Sequence, residues 1–400
     1  MTFPQLTVEQ LDPSAEFLLE VNPGSEAVLD KIRNRYPCTI TPAFHPARTT
    51  DTDLDAYYVV DLQTKRKRTI KACYDWLYDL AGVDWVEPNE VMMLNLPDPA
   101  AEIPSGIGKH YLNDPEISRQ WGFEPLEADA LHRAVLESGA KPKKVARIVI
   151  IDTGIDATHE DISQNYFSID HADDTDPRGH GTHCAGIAAA VSNNGIGIAA
   201  LAPGTGFVEV SSVRALNASG AGTQKSLIEA MIKAVDYGAD VLSMSLGGIS
   251  TQSKQKAYTD AVKYAADRGA IVVVAAGNAN TNARKASPAN VKGVITVTAV
   301  DRQNHKASFS NTVEDLKMGI AAPGVDIYST LPGNKYGPMN GTSMATPYVS
   351  GLVGLLKCFR PDITTREVYD ILEKTGKPTL DGERTGPLIQ PLAALEQILD

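Results

Sequence analysis

Hydrophobic positions change their rhythm twice along this chain. In the first part, short apolar runs at Phe17 to Val21, Thr39 to Phe44, Tyr57 to Leu62 and near Val83 to Val86 read as strands. Between them, Ser25 to Arg35 and Thr69 to Ala81 carry helical spacing. Two βαβ halves of this size predict a small ferredoxin-like α+β module over 15–95, behind a patternless leader, 1–14. From Asn89 to His110 the periodicity fades and Pro97, Pro99, Pro104 and Gly106 gather, which marks a linker over 96–110. Beyond it come continuous apolar runs at Ala146 to Ile151, Val208 to Val213, Val241 to Met244, Ile271 to Ala276 and Val294 to Val300. Helical segments such as Leu227 to Val235 and Tyr258 to Ala265 lie between them. Buried strands alternating with amphipathic helices predict, for 111–400, an α/β domain with a mostly parallel sheet covered on both faces. Ligands of such sheets bind beyond the carboxyl ends of the strands.

The polar residues collect there. Asp152 follows the run Ile148 to Ile151 directly, Asn278 ends the run from Val272, and His180 stands between Gly179 and Gly181. A polar turn, Gly341 to Pro347, contains Ser343 and opens an apolar segment reaching Phe359. It predicts a buried helix, with Thr342 as a cap, Pro347 tolerated in the first turns, and Gly351 and Gly354 allowing close packing. Serine alone is a poor nucleophile and needs a base, an orienter for that base and donors for an oxyanion. Each residue also has a plainer reading: an Asp at a strand end caps turns, and His180 and His183 lack the third ligand a zinc site requires.

Composition narrows the choice. The net charge of −12 argues against nucleic acid as a partner. The basic run Lys65-Arg66-Lys67-Arg68 reads as a solvated approach to a helix. Four scattered cysteines, Cys38, Cys73, Cys184 and Cys358, form no disulfide framework and read as reduced thiols. The first residues show neither a basic n-region nor an apolar h-region, and no apolar run has membrane-spanning length. The expectation is a monomer that does not enter the membrane, with the cytoplasm favoured over secretion.

In the order Asp, His, Asn, Ser, five motifs stand in this chain: VIIDTGID, GHGTHCAG, SMSLGG, AAGN and NGTSMATP. Together they resemble the subtilisin-like (subtilase) serine peptidases, whose triad runs Asp, His, Ser along the chain. The likeness covers Asp114 to Asp400, and the module before it resembles the family's inhibitory propeptide. It implies a serine endopeptidase made as a zymogen, acting on protein or peptide substrates, with its own propeptide as an intramolecular inhibitor. Ser343 would be the nucleophile, His180 the general base, Asp152 its orienter and Asn278 an oxyanion donor. A strand of substrate would lie against Ala221, Gly222, Ser245, Leu246 and Gly247. The S1 walls would be Leu246 to Gly248 and Ala275, Ala276 and Gly277, above a floor at Ala286. No acid stands there, so a neutral or apolar P1 side chain is expected. Structural Ca²⁺ would be held by Asp114, Asp161 and Asn194 with the carbonyls of Val191, Ile196 and Ile198. The acids Asp170, Asp173, Asp174 and Asp176 read as a solvated loop. Cys184 reads either as a buried inert thiol or as one close enough to His180 for mercurials to disturb it. Self-cleavage is expected between Asn95 and Leu96, with Met92 in an apolar S4 pocket; a one-residue slip would put Leu94 in S1. Two other readings of the same fold are a peptidase dedicated to one partner and a propeptide-locked binding protein.

Overall fold

The computed structural model describes residues 15–48, 52–101, 103, 110–250 and 255–399; the leader 1–14, and residues 49–51 of the first polar loop, lie outside them. The chain begins with β1 (Glu16–Val21), α1 (Ala27–Arg35), β2 (Cys38–Pro42), β3 (Tyr57–Leu62), α2 (Lys67–Tyr78) and β4 (Val83–Pro88). Its four strands form an antiparallel sheet in the order β2-β3-β1-β4. Strand alternation gives this sheet two apolar faces. Phe17, Leu19, Val21, Val60 and Leu62 pack under the helices with Ile32, Ile70, Cys73 and Leu77. Leu18, Tyr57 and Val59 point the other way, into a core shared with the larger domain.

Element ends differ from the sequence reading at several places. β2 stops at Pro42, and Ala43 and Phe44 turn into the shared core instead of continuing the strand. α2 starts two residues early, so Lys67 and Arg68 form its first turn while Thr64 accepts the Arg66 N–H. It closes at Tyr78, ahead of a turn that needs the left-handed Gly82 (φ +100°).

After β5 (Val91–Met93) and α3 (Ala128–Ser138), the larger domain is built from β6 (Ala146–Asp152), α4 (His180–Ala189), β7 (Val208–Arg214), β8 (Ala221–Thr223), α5 (Gln224–Asp236) and β9 (Val241–Met244). It continues through β10 (Gly248–Ile249), α6 (Lys256–Ala266), β11 (Ile271–Ala275), β12 (Ala286–Ser287), β13 (Ile295–Val300) and β14 (Gly319–Pro323). A hairpin of β15 (Ile327–Leu331) and β16 (Lys335–Met339) leads into α7 (Thr342–Phe359), α8 (Thr365–Thr375) and α9 (Pro391–Leu399). Six parallel strands run in the order β14-β13-β11-β9-β6-β7. Ile148 and Ile150 of β6 face α4 and α7, while Val149 and Ile151 face α5 and α6. Both faces are therefore apolar, which is why these strands read as unbroken hydrophobic runs.

α4 and α7 are buried along their whole length. Small residues allow this: a Cβ on Gly351 would lie 2.7 Å from the Ala188 carbonyl, and one on Gly354 would lie 2.8 Å from Ile148. α5 and α6 cover the opposite face and carry the small module. Among the described residues, no helix is long and apolar enough to cross a membrane. The loop-like segment 381–387 holds a short 3-10 turn, Gly382–Arg384, tied down by the bond from the Val313 N–H to the Arg384 carbonyl.

Candidate active site

Asp152 is the last residue of β6, His180 the first of α4 and Ser343 the second of α7, so three buried elements deliver three side chains to one end of the sheet. His180 Nδ1 lies 2.8 and 2.9 Å from the two carboxylate oxygens of Asp152, and both residues are fully buried. A carboxylate at Nδ1 fixes the ring so that the other nitrogen is free to accept a proton. Nε2 is itself buried and has no hydrogen-bond partner among the described residues. Ser343 Oγ donates to the Ser245 carbonyl at 3.0 Å, and Ser245 Oγ returns a bond to the Ser343 carbonyl at 2.7 Å. This reciprocal pair ties the end of β9 to the start of α7. The serine hydroxyl is thus held at the site but turned to a carbonyl.

Cys184 lies one turn along α4, and its ligating atom and those of Asp152 and His180 all fall within 4.8 Å of one another. Burial pushes the thiol well above its ordinary range, and its hydrogen goes to the Ser343 carbonyl at 3.5 Å. Burial therefore keeps the hydrogen on a thiol that is in contact with the site.

Asp176 corrects the sequence reading. It is buried, not solvated, and its carboxylate accepts from Thr153 Oγ1, from the N–H groups of Arg178, Gly179 and Thr182, and from Thr182 Oγ1. One side chain therefore joins the residue after Asp152 to the turn that begins α4. Asp173 is also buried and pairs with Lys233, as does Asp170, while Asp174 takes the Tyr166 hydroxyl.

Thr342 is not the cap expected of it. Gly341, at φ +150°, precedes the helix, and Thr342 instead bonds Asn278: its N–H and its hydroxyl both reach Asn278 Oδ1 at 2.9 Å. Thr342 Oγ1 also accepts the Gly277 N–H at 3.1 Å. Asn278 is thereby fixed with its amide nitrogen outward, and Nδ2 donates to the Asn95 carbonyl at 2.5 Å. The first N–H groups of α7, Ser343 among them, have no intrahelical acceptor and lie at the positive end of the helix.

Asn95 reaches this point along an added strand. β5 pairs antiparallel with β8, setting Met92 opposite Gly222 and Met93 opposite Ala221, and the Leu94 N–H bonds the Gly220 carbonyl at 2.9 Å. Val91 and Met93 are about half exposed, whereas Met92 is buried in the cluster containing Leu216, Leu227 and Leu246. A Cβ on Gly248 would sit 3.1 Å from Met92 Sδ, so glycine makes room for it. The register puts the carbonyl of Asn95, not Leu94, at Asn278. A cavity of about 50 Å³ opens beside Asn95. Ser245, Leu246, Gly247 and Gly248 line it on one side, Ala275, Ala276 and Gly277 on the other, with Ala286 and Ser287 on β12. Asn311 also lines it and was not singled out in the sequence: it donates to the Ala276 carbonyl and accepts from the N–H groups of Ala279 and Thr281, bracing the loop that carries Asn278.

The module grips the domain beyond the strand. Glu87 is fully buried and accepts from the Lys256 and Ala257 N–H groups at the start of α6, and from Gln224 and Trp85. Asn89 Oδ1 accepts from the Lys225 N–H at the start of α5. Glu90 takes Gln255 and Ser250, Lys256 bonds Glu20 at 2.6 Å, and Tyr57 bonds Asp260 at 2.8 Å. Apart from the Trp85 bond, these contacts escaped the sequence because each joins residues more than a hundred positions apart.

A second polar cluster lies in the loop 191–198. Asp114 accepts from the N–H groups of Asn193 and Asn194, and Asp161 from Asn194 Nδ2 at 3.0 Å and the Ile198 N–H at 2.8 Å. The Val191 N–H bonds the Asp161 carbonyl, and the Ile196 N–H bonds Asn194 Oδ1. Both carboxylates are buried with neutral hydrogen-bond partners, and burial, aided by the charge of Asp114, pushes Asp161 up to about 7. Two buried carboxylates that both bond Asn194 supply hard oxygen ligands of the kind Ca²⁺ takes.

The fold, and the grouping of Asp152, His180, Ser343 and Asn278 at its sheet ends, define a serine endopeptidase. Residues 143–387 match the model of the subtilase family, and the chain belongs to that family. It is 42% identical over 252 residues to thermitase of Thermoactinomyces vulgaris, covering 61% of this chain and 84% of that protein. It is 45% identical over 214 residues to the thermophilic serine proteinase of Bacillus sp. strain AK1; that match spans 52% of this chain and about half, 51%, of the relative. Among solved structures it resembles one described as proteases from Pseudoalteromonas arctica PAMC 21717. The TM-score is 0.61 at 26% identity, over 72% of this chain and 99% of that one.

Proposed function

We propose that this chain is a zymogen that cuts its own Asn95–Leu96 bond and afterwards hydrolyses peptide bonds in other polypeptides. One observation carries the reading: the Asn95 carbonyl is held by Asn278 Nδ2 at the end of an added strand, next to Ser343. In the reaction, Ser343 Oγ turns from the Ser245 carbonyl and attacks the Asn95 carbonyl carbon as its proton passes to His180 Nε2. The imidazolium is stabilised by Asp152, and the oxyanion by Asn278 Nδ2 and the Ser343 N–H. His180 then gives its proton to the Leu96 nitrogen, the C–N bond breaks, and water attacking through the same base hydrolyses the acyl ester. Afterwards residues 15–95 remain docked as a product-like inhibitor until they are degraded, so activity lags behind processing. The neutral walls beside Asn95 support small or medium uncharged P1 side chains, and Gly248 leaves room for an apolar residue at P4.

We further propose that Asp114, Asp161 and Asn194, with the carbonyls of Val191, Ile196 and Ile198, hold a structural calcium ion. When bound it neutralises the two buried acids. The test of the catalytic assignment is a fluorophosphonate probe. The self-processed chain should be labelled on Ser343 and lose peptide hydrolysis in step with labelling, whereas labelling elsewhere or undiminished hydrolysis removes Ser343 as the nucleophile.

A further inference from the structure

The chain stays on the peptidase surface after Asn95. Asn340 donates Nδ2 to the carbonyl of Asp98 at 3.0 Å, while its Oδ1 accepts the Asp326 N–H at 2.6 Å. Asp326 Oδ1 in turn accepts the Ala101 N–H at 3.1 Å. Ile103 then rests against the apolar cluster of Ala190, Ile198, Ala200 and Tyr328, beside Tyr336. Asp326 stands at φ +51°, a conformation that costs a non-glycine residue energy and is here fixed by the Asn340 bond. Pro97 and Pro99 lack N–H groups, so this stretch cannot form a ladder and is held by single backbone contacts and one aliphatic anchor.

We propose that Asn340, Asp326 and the Tyr328 cluster form a binding strip for polypeptide on the leaving-group side of the cut. The strip reaches the residues that Asp98, Ala101 and Ile103 occupy: third, sixth and eighth after Asn95. Its ligand is extended, proline-spaced polypeptide with an aliphatic side chain at the eighth position. The backbone contacts tolerate sequence, and the apolar cluster selects. Once the chain's own linker departs, the strip favours long substrates over short peptides. This rests on Asn95–Leu96 being the cut bond.

Two measurements test it. In the full-length Ser343→Ala chain, hydrogen exchange should find the Ala101 amide protected, and Asp326→Gly, which suits the positive φ, should speed its exchange roughly tenfold, as loss of one hydrogen bond implies. With self-processed enzyme, two quenched peptides share Val-Met-Met-Leu-Asn before the cut. One carries two residues after it, the other the eight-residue sequence Leu-Pro-Asp-Pro-Ala-Ala-Glu-Ile. The longer should show a KM about tenfold lower, and Asp326→Gly should bring the ratio towards one. Equal KM values in wild type, or equal Ala101 exchange with and without Asp326, would overturn the strip. If the chain never processes itself, the cleavage assignment fails, and Ala101 exchange still decides the strip.

Discussion

Asn278 does two jobs with one carboxamide. Its oxygen is occupied by the Thr342 N–H and hydroxyl, which leaves the nitrogen as the group that meets the Asn95 carbonyl. A donor aimed in this way gains most when charge develops on the oxygen, so in the proposed cleavage its contribution would lie in the transition state. Asn278→Ala should lower kcat by about 10²–10³-fold with KM nearly unchanged. Steady-state kinetics on a peptide substrate check this, and a change confined to KM would take Asn278 out of the oxyanion site. Asp176 shows how far single residues could be read from sequence. Its neighbours Asp170, Asp173 and Asp174 make the stretch look like a solvated acidic loop, and nothing in the spacing reveals that Asp176 turns inward to meet five donors. Asn311 was hidden for the same reason, because its partners come from a loop more than thirty positions earlier.

At the scale of elements, α6 borrows its start from the module. Its own N-cap, Gln255, makes no side-chain capping bond, and Glu87 receives the first N–H groups instead. Burial pushes the Glu87 carboxyl up to about 7, an effect its hydrogen-bond donors only partly offset. A carboxyl with a folded value above its unfolded value of 4.5 binds its proton more tightly when folded. Its contribution to stability is then largest below about 4.5, falls as the pH rises to about 7, and is constant above that. In the full-length Ser343→Ala chain, Glu87→Gln cannot titrate. The Tm of the Glu87 chain minus that of the Gln variant should therefore decrease between pH 4.5 and 7 and then level off; a difference that grows with pH would contradict the assignment.

The loop 191–198 makes a separate prediction at this scale. Calcium bound only to the folded loop stabilises by mass action, about 2.7 kcal/mol at a hundredfold excess over Kd. For a domain of this size, chelation should cost on the order of 5 °C in Tm. Asp161→Ala should remove the response to calcium while leaving Ser343 reactive to the phosphonate. An unchanged Tm in excess chelator would refute the oxygen cage.

For the whole molecule, what could be read in the sequence divides by range. Five of the six parallel strands were legible because burial on both faces leaves continuous apolar runs, and Gly351 and Gly354 marked α7 as a helix that must pack closely; the edge strand β14 was not among the runs read. The small module was legible as alternating short elements, although Lys67 and Arg68 proved to lie inside α2. Its attachment was not legible. Leu18, Tyr57 and Val59 look like ordinary strand residues until the second apolar face of the sheet is seen against α5 and α6. The register of β5 was equally open, since Asn95 and Leu94 differ by one step and only the pairing of Met92 with Gly222 chooses between them.

That register puts the end of residues 15–95, the proposed propeptide, beside Asn278 and Ser343. The most direct measurement is the N-terminal residue of the chain after incubation, read by mass spectrometry beside the Ser343→Ala chain. A new N-terminus at Leu96 is expected in wild type and an intact chain in the variant. A first cut beyond Gly108, full activity without cleavage, or processing of the variant at the wild-type rate would contradict it.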